Sequence, residues 1–214
     1  MLKLRTKRPL GMRATLAICG AVLLSGCAAK YTQVPARLDL EPYGRVALVA
    51  FSTEQTDAQL STLATQRFAE MLLASQRGVE LLELGPADSS VARVVPTGDA
   101  TTLAQAVGRD KAVPAVFVGH LKVSGVKPRG RLSGGGNLDV RASVSAELTV
   151  RLVSTSSGAT VWRSSSAANG TVGRMSLDRT PSIAMRDPNE AYGQVVDELV
   201  TNVTRDLRPT WVKQ

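Results

Sequence analysis

Few side chains in this 214-residue sequence could do chemistry, and the thiol of Cys27 has the plainest setting. Leu24, Ser25 and Gly26 precede it, and the small side chains at 25 and 26 let the backbone lie extended in a peptidase cleft. The only histidine, His120, cannot by itself build a metal site or a triad. In an alternating stretch it falls on the polar side, as a surface histidine would. Ser124-Gly125-Val126-Lys127 has the S-x-x-K spacing of a nucleophile and its base. That chemistry needs both groups one helical turn apart; on a strand they point to opposite faces, and no K-T-G partner motif follows. A nucleophile elbow, a P-loop and a dinucleotide fingerprint are all missing. Gly134-Gly135-Gly136 sits between two strand patterns, as a hairpin tip rather than a phosphate cradle. The residues give no catalytic, metal or cofactor set, and the chain is read as a non-enzyme.

Residues 1–26 read as a secretory signal. Lys3, Arg5, Lys7, Arg8 and Arg13 form a cationic start without an acid, and Ala14 to Leu24 is an apolar run of 11 residues interrupted by Thr15 and Gly20. A spanning helix needs about 20 apolar residues, so this run is too short for a permanent anchor. Leu24-Ser25-Gly26-Cys27 resembles the lipobox of bacterial lipoproteins. The resemblance implies cleavage before Cys27, a diacylglycerol on its sulfur and an N-acyl chain such as palmitate on its amine. Ala28 in place of Asp resembles the sorting signal for the outer membrane, which implies a lipid anchor on its periplasmic face.

The signal also accounts for most of the charge. It holds five of the 26 Lys/Arg and none of the 18 Asp/Glu, so the formal +8 falls to +3 from residue 27 onward. A surface that close to neutral does not point to nucleic acid. Cys19 would leave with the signal and Cys27 would carry lipid, so no disulfide is expected. Ala28 to about Pro42 is polar, contains Pro35 and Pro42, and reads with Cys27 as a tether over 27–42. Such a length reaches about 50 Å fully extended and averages nearer 20 Å as a coil. Residues 43–209 read as one periplasmic domain, with 210–214 a tail.

Within that domain Arg45 to Phe51 is a buried strand, followed by helical spacing over about 57–76 with Gly78 as its stop. Val79 to Leu84 is a second strand and Asp99 to Gly108 a weaker helix. Pro114 opens a third strand with Phe117, Leu121 and Val123 facing one way and His120, Lys122 and Ser124 the other. From Leu138 to Leu152 every even position is apolar and every odd one polar, the mark of a long antiparallel strand with one wet face. Ser154 to Gly158 turns, and 159–168 returns as a strand. Asp187-Pro188-Asn189-Glu190 combines a capping Asp, a Pro at the first helical position and a back-reaching Glu. The helix it opens runs with Tyr192, Val195, Val196, Leu199, Val203 and Leu207 in its stripe, to Pro209. The expected fold is α/β: a single mixed sheet covered by helices, in the order β-α-β-α-β-β-β-α, with a long antiparallel hairpin. Gly173 to Arg186 reads as irregular, and neither it nor Lys127 to Arg131 is expected to supply a further strand of membrane-spanning type.

Three strings resemble a lipoprotein group that includes the curli-secretion lipoprotein, the penicillin-binding-protein activator and the TolB N-terminal domain. They are R-V-A-L-V-A-F at 45–51, A-V-F-V-G-H-L at 115–121, and V-R-L-V-S-T-S-S-G-A-T-V-W at 150–162. The resemblance runs from about Arg45 to Leu207 and implies a fold and an envelope location. It also implies an accessory or scaffold that binds a protein partner during envelope assembly. The alternative it raises is a homo-oligomeric outer-membrane secretion channel. Lys122, Lys127, Arg129, Arg131 and Arg141 cluster on the hairpin, with Asp139 offsetting one charge. They fit either edge protection or contact with lipid head groups or wall polymers.

Overall fold

The computed structural model describes residues 31–53, 58–92, 99–124, 127–133, 137–177, 182–185 and 188–213. Leu24, Ser25, Gly26 and Cys27, the glycine triplet 134–136 and the capping Asp187 lie outside them. Two compact units are resolved, one holding residues 35–209 and the other the chain ends from 210 onward and up to 34. In the smaller unit β1 (Tyr31–Val34) pairs antiparallel with β10 (Thr210–Lys213), so both the start read as tether and the tail contain strand.

The larger unit is α/β around a mixed sheet. Its parallel part contains β2 (Arg45–Val49), β4 (Glu80–Leu84) and β5 (Ala115–Val123), with the short β3 (Ser52–Thr53) also beside β5. The antiparallel part contains β6 (Lys127–Ser133), β7 (Asn137–Ser154), β8 (Thr160–Leu177) and β9 (Ser182–Met185). The order across the sheet is β4-β2-β5-β7-β8-β9, with β6 on β7 beyond the reach of β5. Crossovers between parallel strands need helices. These are α1 (Ala58–Ser75) and the pair α2 (Ser89–Ala92) and α3 (Ala100–Lys111), while α4 (Pro188–Val203) closes the fold.

The alternation along β7 decides which face each layer meets. Val144, Ala146, Leu148, Val150 and Leu152 are buried together with Val195, Val196, Leu199 and Val203 of α4 and with Phe68 and Leu72 of α1. On the opposite face α2 and α3 bury Val49, Val116 and Val153 with Val91, Leu103 and Val107. All three phenylalanines join one edge-to-face run, Phe51–Phe68–Phe117, which Trp162 extends, with ring centroids 5.4, 5.3 and 6.0 Å apart. Such contacts add to the area these rings bury. Gly119 makes room for the run, because a Cβ there would enter the Phe51 ring.

Gly78, read as the stop of α1, takes φ 72° after it, and the helix expected from about Asp99 is capped by that residue, which accepts from the Thr101 and Thr102 amides at the start of α3. Past α4 a 3-10 turn, Thr204–Leu207, carries the chain to Pro209.

Three expectations need correction. The stretch read as tether is folded well before residue 43: Leu40 is fully buried and Leu38 packs on the core. Gln76 holds it, accepting from the Leu40 amide at 2.9 Å and donating to the carbonyls of Leu38 and Leu207 at 3.0 and 2.6 Å. Second, Lys127 to Arg131 lies in a strand, β6, in full register with β7 from Lys127↔Ser143 to Ser133↔Asn137. Third, β8 continues through Leu177 and pairs with β9, so the segment 173–186 also carries strand. Pro128 and the glycines hid both, since strand propensity is low there while an existing long neighbour can still template the ladder.

Candidate functional site on the open sheet face

Beyond the cover of α2 and α3 the polar face of the sheet continues along β5, β7 and β8. Register fixes its rungs. Val118, Arg151 and Arg163 share one, His120, Thr149 and Ser165 the next, then Lys122, Glu147 and Ala167. Ser124 and Ser145 lock together where β5 ends: Ser124 Oγ donates to Ser145 O at 3.0 Å and accepts from Ser145 N at 3.1 Å. The Ser124 hydroxyl is therefore a strand-end clamp, and Lys127 stands on the neighbouring strand opposite Ser143. The S-x-x-K spacing builds no nucleophile–base pair.

His120 does meet a serine, though one that no sequence motif marks. Ser52 Oγ lies 2.9 Å from His120 Nδ1 and donates to Gly119 O at 3.2 Å. The two residues are 68 apart in the chain, and only the parallel pairing of β3 with β5 brings them opposite. Ser52 is exposed and His120 half-buried. Among the described residues no group of three or more His, Cys, Asp or Glu is gathered to hold a metal. A shallow depression of about 320 Å³ lies elsewhere, on α1, lined by Gln59, Thr62, Leu63 and Gln66.

Charges near the helices are neutralised locally. Asp88 is lowered to about 2 by the Ser90 hydroxyl and by Lys111, whose ammonium lies 3.0 Å from it. Hydrogen bonds from the Thr102 hydroxyl and the Thr101 and Thr102 amides lower Asp99 as well, and the field of Arg151 adds to them. Lys122 faces Glu147 across the strands. Arg129, Arg141 and Arg174 share a single rung over three adjacent strands, with Lys127 and Arg131 two residues to either side on β6. Asp139, opposite Arg131, is the one acid within 137–143. Arg174 escaped sequence reading because its strand was not anticipated.

No protein-family model matches the chain, and no curated protein does. Solved structures similar to it include a PelC L103M dodecamer from Paraburkholderia phytofirmans, at 18% identity and TM-score 0.42, covering 84% of this chain and 98% of that one. Lipoprotein GNA1162 from Neisseria meningitidis has 18% identity and TM-score 0.35 over 59% and 83%. The LpoB C-terminal domain from Salmonella enterica has 14% identity and TM-score 0.34 over 69% and 90%. Likeness of this size concerns chain path and bears on no activity.

Proposed function

We propose that this protein is a lipid-anchored lipoprotein of the periplasmic face of the outer membrane, serving envelope assembly as a non-enzymatic accessory or scaffold that binds a protein partner. The observation that carries the reading is Leu24-Ser25-Gly26-Cys27 behind a basic and then apolar start. Each buried methylene of an acyl chain contributes about 0.8 kcal/mol, and more than one chain makes attachment durable.

Fractionation of the wild type and Cys27→Ala tests the anchor. The wild type is expected with membranes, its N-terminal peptide beginning at Cys27 and carrying the acyl mass; the variant should leave them. An unmodified Cys27, or a retained signal, rejects the reading. Crosslinking in the native envelope followed by mass spectrometry identifies the partner.

A second reading, a subunit of an oligomeric secretion channel, draws on the alternating strands at the far end of the sheet. β7 and β8 have the roughly 9–11 residues a membrane strand needs, at 18 each, whereas their neighbours β6 and β9 have 7 and 4. Negative-stain images of detergent-solubilised protein separate the two: rings favour the channel, single particles the accessory.

A further inference from the structure

The two ends of the chain meet in a ribbon whose side chains are all exposed. β1 and β10 pair over four residues each, from Tyr31 opposite Lys213 to Val34 opposite Thr210, and none of the eight is buried. Of the six large hydrophobic side chains exposed among the described residues, four belong to this ribbon: Tyr31, Val34, Trp211 and Val212. Residues directly opposite share a face, and neighbours along a strand alternate. Tyr31, Gln33, Trp211 and Lys213 therefore form one face, with Tyr31 59% and Trp211 64% exposed. Thr32, Val34, Thr210 and Val212, all β-branched and suited to a strand, form the other. A lone two-strand ribbon is marginal in water, and chain ends are seldom ordered unless something ties them down. Two rings this open point to a cover.

We infer that the aromatic face of this ribbon beds into the phospholipid headgroup layer beside the lipid on Cys27, with Lys213 reaching the phosphates. The inference rests on the proposed acylation of Cys27. Only residues 28–30 separate Cys27 from Tyr31, a span of at most about 14 Å. Acyl chains hold the Cys27 sulfur at the headgroup–acyl boundary, so Tyr31 stays within that distance of it. Register brings Lys213 level with Tyr31 and puts Trp211 two residues further on, about 7 Å along the strand. Tyr and Trp pair an apolar body with a polar tip and collect at membrane–water interfaces for that reason. A lysine stem lies along apolar surface while its ammonium reaches outward. A second protein would have little to hold, since four residues by two strands cover about 13 by 10 Å. A stable interface takes about 800 Å² from each partner. A bilayer needs no such area once acyl chains keep it in contact.

The test uses residues 27–214, the proposed mature chain, which contain every described element and Cys27 as their one cysteine. Coupling that thiol to a maleimide phospholipid, in vesicles of phosphatidylethanolamine and phosphatidylglycerol, supplies the anchor chemically. The outcome is then independent of whether cells acylate Cys27, which the N-terminal peptide reports separately. The chain has two tryptophans, and Trp162 packs on the core, so the emission lost in Trp211→Phe is that of Trp211. Lipids brominated near the headgroup end of their acyl chains are expected to quench this emission at least three-fold more than lipids brominated near the chain terminus. Acrylamide should quench it at least three-fold less than in thiol-capped protein free in buffer. Equal acrylamide quenching in the two states overturns the inference, as does no quenching by brominated lipid. Coupling to a single-chain maleimide lipid, a marginal anchor by itself, gives a second measurement. The double variant Tyr31→Ser, Trp211→Ser should then leave the vesicles at least five-fold more readily, with unchanged circular dichroism, and equal retention overturns the inference too. Shielding of Trp211 that grows with protein concentration in buffer, without quenching by brominated lipid, assigns the ribbon to a second copy instead.

Discussion

The two halves of β7 follow one alternating pattern and meet opposite fates. From Val144 to Leu152 the even residues are buried beneath α1 and α4, and on the other face Lys122 stands across from Glu147 and Arg151 lies near Asp99. From Asn137 to Ser143 the same alternation continues into a ribbon with half-buried apolar positions and a rung of three arginines. Alternation sets which way a side chain points; the layer that meets it decides whether that side becomes core or surface. The near half holds the core residues.

Substitutions should separate the halves sharply. The largest effect is expected at Phe68, central to the aromatic run: Phe68→Ala should cost about 3–5 kcal/mol in denaturant unfolding, and a loss below about 1 kcal/mol would mean that the run is not the centre of the core. Gly119→Ala forces a methyl into the Phe51 ring and should cost about 1–3 kcal/mol by the same measurement. Gln76→Leu leaves the Leu40 amide and two carbonyls without their partner, at about 1–3 kcal/mol. It should also expose the 35–43 segment to faster hydrogen exchange, which Phe68→Ala would not do selectively. In the far half Val140→Ala should cost less than about 1 kcal/mol, as partly exposed positions do; a core-sized loss would erase the distinction.

Acid offers the smallest test. Asp88 is lowered to about 2 from an unfolded value near 3.8, and Asp99 is lowered too. A carboxylate lowered by folding contributes stability that is complete above its unfolded value and disappears as pH falls through its folded one. The Asp88 contribution should therefore fade between about pH 4 and pH 2. Asp88→Asn should flatten that limb of the melting-temperature profile while leaving the neutral-to-basic limb parallel to wild type. An unchanged acid limb would show that Asp88 is not coupled to folding.

Much of the near half is legible in the chain. Val46 to Phe51, the helical spacing after Leu60 and the long alternation of β7 each carry their own local signal, and the structure realises all of them. The Ser52–His120 pair is not legible, since it depends on a parallel alignment between segments 68 residues apart. Nor is the arginine rung. Lys-Pro-Arg-Gly-Arg has poor strand propensity, and β6 exists because β7 offers it a preformed edge. The folding of 35–43 onto Gln76 is hidden for a related reason, because a single buried amide leaves no periodic trace.

Taken alone, the sequence determines the α/β class and the facing of each long strand, because periodicity is a local property. Tertiary structure decides that β6 and β9 are strands, that Ser52 touches His120, and that three arginines from distant segments stand side by side. Those outcomes turn on which edges a finished sheet leaves open, and an open edge is a property of the assembled ladder rather than of any segment in it.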